Sequence, residues 1–434
     1  MKDSFEMRGY WFLPHAPDER VAGTLSYTPN AKITLELIGA FTKAEDDLFS
    51  IIRNEAEQID IIHGESSDAN KITLIGCSSH GSINFHCSFP MQKFSVQCVL
   101  KGIYIDLKTE EAFNSITVRL PHLTRWVNNY RVRYAIPYTD ERPSGFRLSF
   151  DMENTNLITV ALDDNLELEL EFVCSPPGSN HEEQLLVQQS YQLSINSKKK
   201  MPFLDLLRLT SKFKMFLTLG TLNTIAYDAI SYFSPNYYQE YSGGRKHFHP
   251  IELFYNQHQT LSANIKENDH FLFKLDAIES SFEAVIKRWY GFDQQMAPIL
   301  KHLIESISAK EIFNTADFLI LVQALEGYCH RFRPNLPRLR QRITLKEQLD
   351  GLRQEFLFVP FIQNMDMDLE TVVSSRHYYS HFYSKKANGH VADGVELYLL
   401  AQKLKTMLIC CVLTEAGFSH DDIITIMNSY KDRH

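Results

Sequence analysis

Cysteine is sparse and unpatterned: Cys77, Cys87, Cys98, Cys174, Cys329, Cys410 and Cys411 form an odd set of seven with no C-x-x-C pair. That excludes a disulfide framework and a zinc ribbon, and predicts reduced core residues instead. Long apolar runs are also missing. None reaches the roughly 20 residues of a membrane-spanning helix, and the opening MKDSFEMRGYWF lacks the basic then apolar layout of a secretory leader. A cytoplasmic protein with no membrane partner is expected. Positive charge is not in excess, since 44 Lys plus Arg face 53 Asp plus Glu for a net charge of -9. Non-specific coating of nucleic acid, which needs many cationic contacts to phosphate, is therefore excluded. No internal repeat or low-complexity stretch is present, which excludes a solenoid.

What is present is a globular composition, 44% hydrophobic and 22% charged over 434 residues, long enough for two or three domains. Period-two alternation recurs in the first 197 residues, at Val21 to Tyr27, Ile33 to Leu37, Lys71 to Ile75, Phe94 to Leu100, Ser115 to Leu120 and Phe146 to Phe150. It is clearest in LELELEF, Leu166 to Phe172. Such alternation predicts strands with one wet face, and hence a sandwich-like β domain over 1–197. Tyr191, Leu193 and Ile195 alternate up to Lys198, Lys199 and Lys200, a cluster read as a domain linker. Helical periodicity is read from Met201 on: Phe203 to Leu219, Asp269 to Tyr290, Ala297 to Ser308, Lys310 to Arg331, Leu345 to Phe356, Leu369 to Tyr383, Val395 to Thr414 and Ser419 to Tyr430. Gly220, Gly243 with Gly244, Pro334 with Pro337, Pro360 and Gly389 supply the breaks. The expected architecture is α+β: the β domain over 1–197, a helical middle region over 198–300, and a helical bundle over 301–434.

Charge distribution singles out one segment. From Lys301 to the end, 16 basic residues balance 16 acidic ones, so the acidic surplus lies in the first 300 residues. Within this neutral part, Arg331, Arg333, Arg338, Arg340, Arg342 and Lys346 occur with no acid between them. A solvated connector would account for them, but clustered cations are also the footprint of RNA binding, and RNA contact is expected here.

The chemistry-bearing motif is Arg376-His377-Tyr378-Tyr379-Ser380-His381. Arginine can clamp two phosphate oxygens, and histidine titrates near neutral pH. Cleavage of RNA by its own 2′-hydroxyl needs these functions and no metal or other cofactor. His377 and His381 stand at the i, i+4 spacing of zinc ligands, but no Glu follows His377 as in H-E-x-x-H. Burial of the motif aromatics in a core is the plainer alternative. Residues five apart stand about 140° apart around a helix, so Arg376 and His381 are not expected to share one face. Two copies of the helix meeting across a two-fold axis would complete the site. His247 and His249 also alternate without a third ligand, and Trp11, Trp126 and Trp289 are read as core or interface anchors.

The Arg376 to His381 motif resembles the R-x4-H signature of HEPN ribonucleases, with His377 where relatives often carry Asn. GYWFLP (Gly9 to Pro14), VAGTLSYTP (Val21 to Pro29) and ITLELIGAF (Ile33 to Phe41) resemble the N-terminal domain of ApeA-type antiphage defence proteins. The resemblance implies a homodimeric endoribonuclease of abortive infection, with a HEPN nuclease domain over 301–434. It further implies an N-terminal domain that senses a phage-derived trigger, RNA such as tRNA as substrate, and catalysis by Arg376, His381 and His377. Glu326, Tyr378 and Ser380 are the candidates for supporting roles around them.

Overall fold

A computed structural model describes residues 3–41, 58–79, 90–150, 157–175, 187–257, 271–309, 315–335, 343–382 and 389–431. The chain divides into a β-rich unit (Met1–Thr124, Asn129–Phe213, Ile225–Asn264) and a helical unit (Arg125–Asn128, Lys214–Thr224, Ile265–His434).

The β-rich unit is built on β1 (Phe5–Leu13), β2 (Ala16–Tyr27), β3 (Ile33–Ile38), β4 (Gln58–Ser66), β5 (Lys71–Ser79) and β6 (Met91–Lys101). These pair antiparallel in the order β6-β3-β2-β1-β4-β5, and β5 pairs back onto β6. The ring is a closed six-stranded barrel, which replaces the expected sandwich-like packing. Closure abolishes the unpaired edges that an open sheet would expose. Alternate residues such as Leu25, Leu35, Leu37, Ile62, Leu74 and Phe94 are buried, together with Trp11. Gly64 makes room for that indole, because a Cβ there would stand 2.3 Å from the Trp11 ring.

The sheet branches at β6. Residues 91–96 of β6 pair with β3 and residues 98–101 with residues 252–255. The further strands in chain order are β7 (Phe113–Arg119), β8 (Val132–Ala135), β9 (Tyr138–Thr139), β10 (Arg142–Pro143), β11 (Arg147–Phe150), β12 (Ile158–Ala161), β13 (Leu166–Ser175), β14 (Gln188–Met201), β15 (Ala229–Phe233), β16 (Tyr238–Glu240), β17 (Lys246–Phe248) and β18 (Ile251–Tyr255). From β6 the sheet continues β18-β15-β7-β14-β13-β12. Three expectations are corrected here. The 198–300 region is not helical throughout, because β15 and β18 insert between β7 and β6 and belong to the β-rich unit. Lys198 to Lys200 form the exposed end of β14, where the register against β7 shifts, rather than a linker. The boundary at 197 gives way to a division that falls within helix Phe203–Thr221.

Helices are α1 (Leu123–Val127), α2 (Phe203–Thr221), α3 (Phe282–Tyr290), α4 (Ala297–Ser308), α5 (Thr315–Phe332), α6 (Leu345–Glu355), α7 (Pro360–Gln363), α8 (Leu369–His381), α9 (Gly394–Ala416) and α10 (His420–Lys431). The helical reading matches closely from Ala297 on, while Gly220 lies inside α2 instead of ending it. Its missing side chain is needed, since a Cβ would come 2.8 Å from Trp126 Nε1. Trp126, an N-terminal residue by sequence, packs within the helical unit against Phe216 and Phe273. All three Trp residues are buried.

The bundle forms around α9, whose residues from Thr406 to Leu413 are all buried. By length and composition α9 could cross a membrane, contrary to the expectation that no run is long enough; 67% of its apolar window is buried, as in a core helix. A buried ion pair fixes its register: Lys405 Nζ lies 3.7 Å from Asp317 on α5 and donates to the Ser306 carbonyl on α4. Burial pushes the Lys405 ammonium below its ordinary range, against the pull of Asp317. Four of the described cysteines, Cys77, Cys329, Cys410 and Cys411, are buried free thiols, while Cys98 and Cys174 are half-buried and Cys87 lies outside the described residues.

Candidate active site

Helix α8 carries the motif, and its ends are chemically defined. At the N-terminus the Asp368 carboxylate accepts the Glu370 amide and the Thr371 hydroxyl at 3.0 and 2.6 Å. These bonds favour the charged form, and the Asp368 carboxyl is held below the usual carboxylate range, chiefly by Thr371. Leu369, Thr371, Val372 and Ser375 form the buried side of the helix. Two of its residues grip the segment before α9: Ser375 Oγ accepts the Ala392 amide at 2.9 Å, and Tyr379 Oη donates to the Ala392 carbonyl at 3.1 Å. Neither holding residue, Ser375 nor Tyr379, stands out as functional in the sequence. Their i, i+4 spacing was the available signal.

His381 is the last helical residue, and Phe382 turns left-handed at φ 56° to cap the helix. Arg376 Nη1 donates to His381 Nε2 at 3.1 Å. Arginine has no acceptor, so this bond requires Nε2 to offer its lone pair. The expectation that the two residues fail to form a compact site within one copy is corrected. About 140° separates their Cα positions, but the long Arg side chain spans the last turn to reach an imidazole at the helix end. On the other side, Arg376 Nη2 stands 3.6 Å from Glu326 Oε2 of α5, with both side chains about one-third exposed or less. The guanidinium thus lies between an imidazole and a carboxylate.

His377 is half-buried, its ring 6.1 Å from that of His381, while Tyr378 stacks edge-on against Tyr379 at 4.9 Å and Ser380 is exposed. Desolvation, then the Arg376 charge, then His381 push the His377 imidazole below its ordinary value. The folded state consequently binds fewer protons there than the unfolded chain. Its contribution to stability is intact above the unfolded His value, about 6.5, and is lost as pH falls through the lower folded value. An NMR titration should find a His377 midpoint below that of a free His, moving upward in Arg376→Ala as one source of repulsion is removed. An unmoved midpoint would remove the Arg376 charge as a cause.

The basic segment is less uniform than its sequence. Arg333 donates to both Glu355 oxygens, at 2.7 to 3.0 Å, and to Glu415 at 3.1 Å. Arg331 donates to the Gln295 carbonyl, and Lys346 pairs with Glu370. Arg338, Arg340 and Arg342 lie outside the described residues. His247 and His249 lie at and beside a small exposed ribbon, their rings 5.4 Å apart. Among the described residues, no three His, Cys, Asp or Glu side chains gather at metal-holding geometry.

The family described as ApeA N-terminal domain 1 matches residues 6–289, about two-thirds of the chain. The chain belongs to the ApeA family. A second match, Apea-like HEPN, covers residues 319–422 and so contains Glu326, Arg376, His377 and His381. In this ApeA-family chain the order of the two domains is the expected one, and the α+β class holds. An Apea-like HEPN domain points to an antiphage defence nuclease family, and HEPN domains are usually ribonucleases. No curated protein and no solved structure matches the chain.

Proposed function

We propose that this ApeA-family chain is a metal-independent endoribonuclease of bacterial antiphage defence. The observation that carries the reading is the 3.1 Å contact of Arg376 with His381 at an exposed helix end, with Glu326 behind the guanidinium. The RNA 2′-hydroxyl attacks the adjacent phosphorus, its proton passing to His381 Nε2. A five-coordinate phosphorane forms, the Arg376 fork balances its charge, and the bond to the 5′-oxygen breaks as that oxygen takes a proton. His377 or the His381 of a second copy supplies this proton. The products are a 2′,3′-cyclic phosphate and a 5′-hydroxyl.

A homodimer through the HEPN domain accompanies this reading. Phe382 is 89% exposed, and Val395 and Leu399, one turn apart near the start of α9, are 61% and 51% exposed. The bonds of Ala392 to Ser375 and Tyr379 hold that start against the last turns of α8. Apolar surface beside the motif is what a two-fold contact would cover. The β-rich domain responds to a phage-derived protein in the cytoplasm, and the RNA cut is structured, such as tRNA. Purified protein should cut RNA in excess EDTA and leave cyclic phosphate ends. Loss of cutting on chelation would instead support a hydrolase that holds a metal at His377 and His381, and binding of RNA without cleavage would support a regulator.

A further inference from the structure

Strands β16 and β17 form a small antiparallel ribbon that pairs Tyr238 with Phe248, Gln239 with His247 and Glu240 with Lys246. The His249 amide donates to the Tyr237 carbonyl at 3.2 Å and the Tyr241 amide to the Arg245 carbonyl at 2.9 Å, which carries the same register one pair further at each end. Gly243 and Gly244 make the turn at φ 99° and 77°, backbone that glycine adopts without strain. Residues 238–248 are all exposed, and Tyr237 and His249 are half-buried at the root. Alternation along both strands sorts the side chains. One face holds Tyr237, Gln239, Tyr241, Arg245, His247 and His249, and the other holds Tyr238, Glu240, Lys246 and Phe248.

The ring contacts agree with this sorting. On the first face Tyr237 meets His249 at 5.3 Å between centroids, His249 meets His247 at 5.4 Å and His247 meets Tyr241 at 6.3 Å, a continuous row of four rings. Neighbours in the row are inclined by 54°, 86° and 67°, so they do not cover one another face to face. On the second face Tyr238 meets Phe248 at 5.8 Å, and Lys246 lies 4.1 Å over the Tyr238 ring, opposite Glu240. The first face therefore carries one permanent cation, Arg245, and no acid. His247 and His249 have ring partners there, and no third metal-holding group joins them among the described residues. We propose that this face is a stacking platform for an unpaired RNA strand, whose bases lie against the row from Tyr237 to Tyr241 while Arg245 holds a phosphate. Rings in series beside a cation, with no carboxylate to repel phosphate, are the means by which single strands are held without sequence preference. That the strand is RNA rests on the nuclease reading; that it is a chain of bases and phosphates rests on the ribbon alone.

Fluorescence anisotropy of the full chain with a labelled, unpaired 2′-O-methyl RNA strand of about 12 nucleotides tests it. That strand lacks the attacking hydroxyl, so binding is read without cutting. Tyr241→Ala with His247→Ala should bind it about tenfold or more weakly, whereas Tyr241→Phe with His247→Phe keeps both rings and should stay within about threefold of the unaltered chain. The phenylalanine pair also separates stacking on RNA from loss of the cross-strand contacts that steady the ribbon itself. Arg245→Ala should lower the slope of log affinity against log salt by about 0.7. A duplex of the same sequence, whose bases are already stacked, should bind the unaltered chain and the ring variants alike. Unchanged single-strand affinity in the alanine pair, an equal loss in the phenylalanine pair or an equal loss for the duplex overturns the proposal. A loss confined to the matching DNA strand overturns it as well. Cutting of ordinary RNA is scored separately: ribbon-dependent binding by a chain that never cuts upholds the platform and removes the nuclease reading, and cutting without ribbon-dependent binding does the reverse.

Discussion

RNA cleavage should fall by a factor of about 10² to 10⁴ in His381→Ala, the range for loss of a positioned general base, and by about 10² to 10³ in Arg376→Ala, the range for a lost oxyanion donor. Both residues sit at the end of α8, His381 exposed and Arg376 half-buried, outside its buried stripe of Leu369, Val372 and Ser375. Folding should therefore change little, and thermal melts should superimpose. Arg376→Lys separates charge from shape. Lysine keeps the positive charge but loses the planar fork that donates to His381 while facing Glu326, so it should recover only a small part of the rate. In Glu326→Gln the guanidinium loses its ionic neighbour. If Glu326 positions Arg376, the rate falls while RNA affinity at low salt stays the same or rises as negative charge is removed. Cleavage at the unaltered rate in either alanine variant would end the catalytic assignment.

The second large effect concerns stability. Arg333→Ala should destabilise the chain by about 2 kcal/mol, short of the about 3–5 kcal/mol for a fully buried pair. The discount follows from the 23, 29 and 16% exposure of the Arg333, Glu355 and Glu415 side chains. Removing the guanidinium leaves two carboxylates from α6 and α9 facing each other and also uncovers Tyr328, whose hydroxyl donates to Glu415 at 2.9 Å. Melting should drop by about 4–8 °C, and Glu355→Gln added to Arg333→Ala should restore part of it, a coupling that a double-mutant cycle measures. The alternative is the phosphate contact assigned to Arg333 from sequence. That role would leave the melt in place and reduce the salt slope of RNA affinity by about one.

The contrast between Arg333 and Arg376 shows what a linear pattern carries. Both are arginines in helical or near-helical segments with no acidic residue immediately beside them. The motif spacing marked Arg376, and the geometry brings it to His381 and Glu326. Arg333 looked equally available until α6 and α9 brought Glu355 and Glu415 against it, 22 and 82 residues away in sequence. The same long-range pairing hid β15 and β18. These are short strands with no long alternating run, and their neighbours β7 and β6 are separated from them by more than a hundred residues.

Local periodicity by itself determined the alternating strands of the first half, the helices from Ala297 onward and the identity of the Arg-His motif, because each is a property of neighbours along the chain. Tertiary structure alone decided that the β sheet closes on itself, that Trp126 belongs with the helices, that Arg376 touches His381 within one copy and that Arg333 is bound by acids. Those outcomes depend on which distant side chains are brought within a few ångströms, and a side chain's charge or length sets only what it can reach, not what folding places there.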